Sequence, residues 1–311
     1  MPNEIVFVGH VSVDRIRNVR GERVQPGGAA LYAAMGARTI CRDVGILTAV
    51  GQDYQFRDVF ADFPYTMVKT VKGKSTQFFI TYGKDWDASY RKVSIGPGSQ
   101  ITTRDVLNVV RNGARMVHLA PMNPPKVENM VKSIKETNKD VVVSINSAIH
   151  YLGEGSNRRS VLNSASLSDI FILNEKELHA LTRKEVVSEA IKSIKTKTLV
   201  LTLGEIGTII SSQGNRSFVP AMAAITKNPV DVTGAGDAWA GSFLASYFKT
   251  GNSINAVSFA SVVSAIKCKG WNFEKIRNLR FENVEDVYDL AIALKEKGRQ
   301  LTLSDALRVS R

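Results

Sequence analysis

The chain has 311 residues, 44% of them hydrophobic and 23% charged, with a formal net charge of +12 from 41 basic and 29 acidic side chains. That length suits one large α/β domain with an insertion, or two small domains, and the composition excludes wholesale disorder. No run of eighteen apolar residues is present, so a membrane span is not expected, and the basic residues are mixed with acids without an aromatic stacking platform, so a nucleic-acid groove is not expected either.

The N-terminus runs directly into Ile5-Val6-Phe7-Val8, without the layout of a signal peptide. The two cysteines, Cys41 and Cys268, lie far apart, which argues against a disulfide scaffold and fits a reducing, cytoplasmic setting. In chain order, Ile5–Val8, Val44–Val50, Met116–Ala120, Val141–Ile145, Ile170–Leu173 and Leu199–Leu203 read as buried strands, because their apolar runs are nearly continuous. Between them Ala29–Ile40, Thr102–Arg111, Pro124–Thr137 and Glu175–Leu181 read as helices, with Thr102 or Thr103 and Asn123 as caps. This alternation predicts an α/β fold: a doubly wound, mostly parallel sheet with helices on both faces.

From Thr66 to Gly96 the pattern changes to short β-branched and aromatic runs with turn signals at Lys72-Gly73 and Gly83-Lys84. Residues 66–96 are therefore expected to form a small antiparallel sheet of three strands, inserted into a single domain over 1–311. Such a sheet either decorates an edge or covers the mouth of the larger sheet as a lid. Farther on, Ser217–Pro220 and Ile225–Val230 read as strand-like, and Ala235–Ala265 and Val284–Glu296 as helical.

The stretch DVTGAGDAWAGSF, from Asp231 to Phe243, sets small residues at the start of a helix. Unpaired amides and the positive end of the helix dipole make Gly234, Ala235 and Gly236 a candidate anion site, where small residues admit a phosphate close to the backbone. A carboxylate beside an anion hole is repulsive unless it works, and proton abstraction by Asp237 from an attacking hydroxyl is the best reason for it. A glycine-rich helix start with a dipole-favoured Asp is the alternative, and the motif by itself leaves both open.

Three further motifs accompany it: Pro26-Gly27-Gly28-Ala29, NEKE from Asn174 to Glu177, and TLGEIG from Thr202 to Gly207. Together, in this order and over essentially the whole length, they make the chain resemble the ribokinase-like (PfkB) family of carbohydrate kinases. The resemblance implies transfer of the γ-phosphoryl group of Mg-ATP to a hydroxyl of a small sugar or polyol. It makes Asp237 the base and the amides of Gly234, Ala235 and Gly236 the anion hole. It places Asn174 and Glu177 on Mg2+ through water, and Thr202, Gly204, Gly207 and Thr233 along the nucleotide. Asn174 and Glu177 also read as a helix cap and its N3 partner, and TLG as a strand turning into a hairpin. On the acceptor side the resemblance implies Asp14, Gly27, Gly28 and the position of Tyr32, while His10 reads as a strand-end histidine. Part of the family requires a monovalent cation, and a lid of this kind can serve as a homodimer interface; the sequence decides neither.

The chain departs from the ribokinase branch at Tyr32, where that branch carries an Asn that contacts the sugar. This departure makes it look more like the inositol- and nucleoside-kinase-like archaeal members. Trp239 stands where Phe is common, and the stretch after Gly51-Gln52-Asp53 lacks an expected Gly. A nucleoside kinase is the first alternative, with Tyr32, Phe78 or Phe79 stacking on a base. A phosphosugar acceptor would draw on Arg15, Arg17, Arg91 and Lys92. From other classes, the alternatives are a ligand sensor without turnover and an RNA-associated protein.

Overall fold

The computed structural model describes residues 4–221 and 228–290. Its strands are β1 (Ile5–Val8), β2 (Ser12–Asn18), β3 (Gly21–Gly27), β4 (Val44–Gly51), β5 (Tyr65–Val71), β6 (Thr76–Tyr82), β7 (Ala88–Ser94), β8 (Met116–Leu119), β9 (Val142–Asn146), β10 (Ile170–Asn174), β11 (Thr198–Thr202), β12 (Gly207–Ser212) and β13 (Asn215–Pro220). Its helices are α1 (Ala29–Ala37), α2 (Thr103–Arg111), α3 (Pro124–Thr137), α4 (Gly155–Leu167), α5 (Glu175–Thr182), α6 (Val187–Ser193), α7 (Ala235–Thr250) and α8 (Ser253–Lys267).

Among the described residues the large sheet has the order β13-β12-β11-β10-β9-β8-β1-β4-β5 and is parallel from β11 to β5. Alternation along β1 sends Ile5 and Phe7 into a core built with α1, α7 and α8. Val6 and Val8 go into a second core, built with α2 to α6. A sheet covered on both faces needs strands that are apolar on both sides, which is why these strands are unbroken hydrophobic runs in the sequence.

The six predicted strands and four predicted helices are all present, with ends shifted by a few residues. The small sheet differs from its expectation. Residues 66–96 do not make a three-stranded insertion: β5 runs parallel to β4 at the edge of the large sheet. Met67 packs against one core and Val68 against the other, so this strand belongs to a two-sided sheet. The small sheet instead has the order β3-β2-β6-β7, with β2 parallel to β6. The alternating burial of β2, with Ser12, Asp14, Ile16 and Asn18 inward and Arg15 and Arg17 outward, makes it a one-sided strand suited to a cover.

The long helical stretch after Ala235 is two helices. Gly251 ends α7 in the left-handed region at φ 67°, and the Asn252 side chain accepts from the amides of Ile254 and Asn255 to start α8. Of the strand and helix expected at Ile225–Val230 and Val284–Glu296, residues 225–227 and 291–296 lie outside the described residues. No helix among the described residues is long and apolar enough to cross a membrane.

Candidate active site

After β1 the chain moves to β4 and β5 on one side, and later returns to β8 and its successors on the other. The carboxyl end of β1 is therefore the topological switch point, where open α/β sheets bind ligands. Asp14 lies just beyond it on β2, only 3% exposed, and its Oδ1 accepts from the Ser12 hydroxyl at 2.6 Å. Gly27 on β3 abuts it so closely that a Cβ there would fall 1.8 Å from Asp14 Oδ2. Gly28 is needed for a different contact: its φ is 100°, and a Cβ would meet the His10 carbonyl at 2.3 Å. His10 is buried, held near neutral by burial at a pKa of about 4, and faces Thr76 and Gly98. It is a packed strand-end residue, as expected.

The two aspartates of DVTGAGD have separate jobs. Asp231 is fully buried and bound on every side: Oδ1 accepts from the Thr233 amide, and Oδ2 from the Asn272 amide and the Gln25 side chain. It fixes the turn. Gly234 then takes φ 71° as the N-cap of α7, half-buried like Ala235, while Gly236 is exposed and a Cβ there would meet nothing within 4 Å. The Ala235 amide donates back to Val232 O at 3.1 Å. Among the described residues, the amides free of a backbone partner at this helix start are those of Gly234, Gly236 and Asp237. Of the three amides expected to form an anion site, Gly234, Ala235 and Gly236, that of Ala235 is thus already engaged within the turn. The small residues that follow serve packing: a Cβ on Gly241 would fall 1.8 Å from Ala33 O, so α1 and α7 cross in backbone contact.

Asp237 sits in the first turn of α7, half-buried. Burial pushes its carboxyl up to about 6, against a downward pull from Lys267. Burial likewise raises Asp14 to about 7, assisted by the charges of Asp231 and Asp237 and opposed by the Ser12 hydrogen bond. Glu177 is raised to about 7 by burial, with its bond from the Asn174 amide lowering and the charge of Asp237 raising it. Three carboxyls from three parts of the chain are thus raised by burial, with the Asp237 charge acting on both Asp14 and Glu177, and perturbed carboxyls of this kind cluster at functional sites. Asn174 and Glu177 form a full capping box at the start of α5, at 2.9 and 3.0 Å, which leaves Glu177 Oε1 outside the box. The capping reading is correct for this pair.

Tyr32 lies elsewhere than the sequence led one to expect. It is 1% exposed, with its hydroxyl accepting from Gln25 and Asn272 and its ring under the motif loop: a Cβ on Gly234 would fall 2.2 Å from the ring. An apolar residue position on α1 between two helices leaves no other place for the ring. Thr202 ends β11 in register with Asn174 at the end of β10, and Leu203 to Gly207 closes a hairpin into β12. Gly204 and Gly207 both have positive φ, and Thr233 is buried in the motif turn. From the small sheet, Asp14, Ile16, Phe78, Ile80, Tyr82 and Tyr90 share the inner face, whereas Phe79 lies outside against Arg15 and Arg17. Partial burial and then the charges of Asp237, Asp14 and Glu177 raise the Tyr90 phenol to about 12.

A family model described as pfkB family carbohydrate kinase matches residues 2–270. The chain belongs to the pfkB family of carbohydrate kinases. Its resemblance to a cytidine kinase of Thermococcus kodakarensis is 29% identity over 252 residues, covering 78% of this chain and 88% of that one. Among solved structures, a Burkholderia thailandensis nucleoside kinase in complex with inosine superposes with a TM-score of 0.74 at 19% identity, over 93% of this chain and 99% of that one. A putative ribokinase II of E. coli in complex with ATP and Mg2+ gives 0.72 at 17%, over 94% and 99%. This pfkB kinase therefore has the ribokinase-like fold, and ATP and Mg2+ are typical of its family.

Sequence reasoning did not find Gln25, Asn272 or Lys267, which surround Asp231, nor the inward tyrosines of the small sheet. One signal was available: Lys267 falls on the face of α8 shared by Phe259 and Val263, where a charge needs a partner.

Proposed function

We propose that this kinase transfers the γ-phosphoryl group of ATP to a sugar hydroxyl of a nucleoside. The observation that carries the acceptor class is the inner face of the small sheet, where Phe78 and Tyr90 meet edge to face at 6.2 Å on the same side as Asp14. Asp14 accepts hydrogen bonds from ribose hydroxyls, and the aromatic face takes the base. The similarity to a cytidine kinase supports this reading. Tyr32 and Phe79 have no part in it, since one is packed away and the other faces outward.

Asp237 takes the proton of the attacking hydroxyl, with a carboxyl near 6 that is ionised at neutral pH and still basic enough to accept it. The amides of Gly234 and Gly236 hold charge as it grows on the phosphoryl oxygens, without rearrangement during the reaction. Thr202, Gly204, Gly207 and Thr233 border the nucleotide. The residues present fit Mg2+ held mainly by substrate phosphates: no group of three metal-ligating side chains exists among the described residues, and Glu177 Oε1 with Asn174 offers hard oxygens to its water shell. When bound, the ion neutralises the phosphate oxygens. The single domain over the whole chain, the β3-β2-β6-β7 sheet as a closing lid and a cytoplasmic location complete the proposal.

A panel of cytidine, adenosine, inosine, ribose, myo-inositol and fructose 6-phosphate, read as ADP release, is expected to favour a nucleoside. Phe78→Ala should then raise the nucleoside KM by roughly 5- to 100-fold, the worth of one base-stacking contact, with little change for ribose. Preference for a free sugar or polyol, with Phe78→Ala inert, would replace the nucleoside by the simpler acceptor that Asp14 also suits. The same assay against pH should show kcat falling as pH drops through 7 and 6. A raised carboxyl pKa means the base loses its charge there, and the three coupled carboxyls titrate as a set. A flat profile down to pH 5 would contradict the assignment.

A further inference from the structure

Lys267, at the C-terminal end of α8, is the one lysine among the fully buried large side chains, and it and Asp231 are both 0% exposed. Its Nζ donates to the backbone carbonyl of Asp231 at 2.8 Å, lies 3.5 Å from Asp231 Oδ2 and stands 5.4 Å from the centre of the Tyr32 ring. The next residue continues the attachment: the Cys268 carbonyl accepts from the amides of Val230 and Asp231 at 2.7 and 3.4 Å. The groups facing the ammonium are thus Asp231, Tyr32, Cys268 and, farther off, Asp237. Burial disfavours the ammonium, and the Asp231 charge opposes that loss.

A buried ion pair is weak evidence for stability alone, since an apolar pair of similar shape often does as well. Here the pair sits behind the helix start whose amides meet the phosphoryl group. Asp231 binds the Thr233 amide, Tyr32 supports Gly234, and Lys267 touches both Asp231 and the Tyr32 ring. One carbonyl and one carboxylate oxygen directed at a single positive charge are also the kind of hard oxygen donors that a monovalent cation draws on, and the ammonium stands against both.

We propose that Lys267 is a positioning residue for phosphoryl transfer: its ammonium, tethered on Asp231, holds the Asp231–Gly234 turn so that the Gly234 and Gly236 amides face the phosphoryl group, and thereby replaces a bound monovalent cation. This rests on the function proposed above. The expected properties follow from the tether. Wild-type enzyme should show the same rate and the same thermal midpoint in potassium chloride as in tetramethylammonium chloride at equal ionic strength. Lys267→Met should lower kcat on the order of 10²-fold, the usual loss when a catalytic array is displaced by about 1 Å, with nucleotide affinity changed only a few-fold. Lys267→Ala leaves space beside Asp231, and potassium or ethylammonium should restore part of its rate and raise its midpoint, because a ligand that binds the folded state stabilises it.

A potassium requirement in the wild type would overturn the proposal, and so would unchanged kcat in Lys267→Met. If single variants do not fold, Lys267→Met combined with Asp231→Asn removes both charges together. Wild-type kcat in that double variant would also overturn the proposal, and reduced kcat with a preserved midpoint would support it. A wild type that transfers to no acceptor would count against the proposed function instead. The midpoint measurements would still decide whether Lys267 occupies a cation's place.

Discussion

Asp237→Asn is expected to lower kcat by roughly 10²–10⁴-fold while leaving the fold and nucleotide binding intact. The amide matches the carboxylate in shape and cannot accept the proton of an attacking hydroxyl. Among the described residues the Asp237 side chain makes no hydrogen bond or ion pair that the change would break, and burial already disfavours its charge. The thermal midpoint should therefore hold or rise slightly, because a partly desolvated charge is removed from beside two other carboxyls. Nucleotide affinity measured by calorimetry should stay the same or improve as repulsion of the phosphates falls. Turnover equal to wild type in a folded, nucleotide-binding Asp237→Asn variant would take this residue out of the mechanism.

The readability of the sequence followed the physics of each element. Continuous apolar runs such as Ile5–Val8 and Ile170–Leu173 announce strands buried on both faces, and they were found where expected. Asn174 and Glu177 carried a local signature, three residues apart before an apolar run, and form the capping box it implies. Long-range pairing has no such local mark. Nothing within Thr66–Val71 says that it pairs with β4 rather than β6, and nothing within Ser12–Gly27 says that these residues build the small sheet. The site was legible in the same proportion. Asp237, Asp14 and Gly234 stand in motifs, whereas Gln25 and Asn272 reach Asp231 from 206 and 41 residues away. Tyr32 was visible as an aromatic beside Gly-Gly, but whether its ring enters a pocket or a core depends on α7 crossing α1, which only the fold reveals.

That crossing makes Gly234→Ala the second large effect. Gly234 caps α7 with φ 71°, a region that disfavours a side chain by roughly 1–3 kcal/mol. A Cβ would also fall 2.2 Å from the Tyr32 ring, whose hydroxyl is held by Gln25 and Asn272 and whose edge meets Phe273. The ring has little freedom to withdraw, so overpacking adds roughly 1–3 kcal/mol more. The variant relieves this by moving the turn, which carries the Gly234 and Gly236 amides off target; losing such a donor lowers kcat by roughly 10²–10³-fold. Gly236→Ala isolates the two contributions. Its Cβ would meet open space, so the thermal midpoint should stay near wild type, while under the proposed function the added methyl group stands in the path of the phosphate and nucleotide KM should rise. If Gly234→Ala keeps both midpoint and kcat, the turn is more compliant than its contacts imply. If it loses the midpoint and keeps kcat, the amides of this turn do not hold the transferring group.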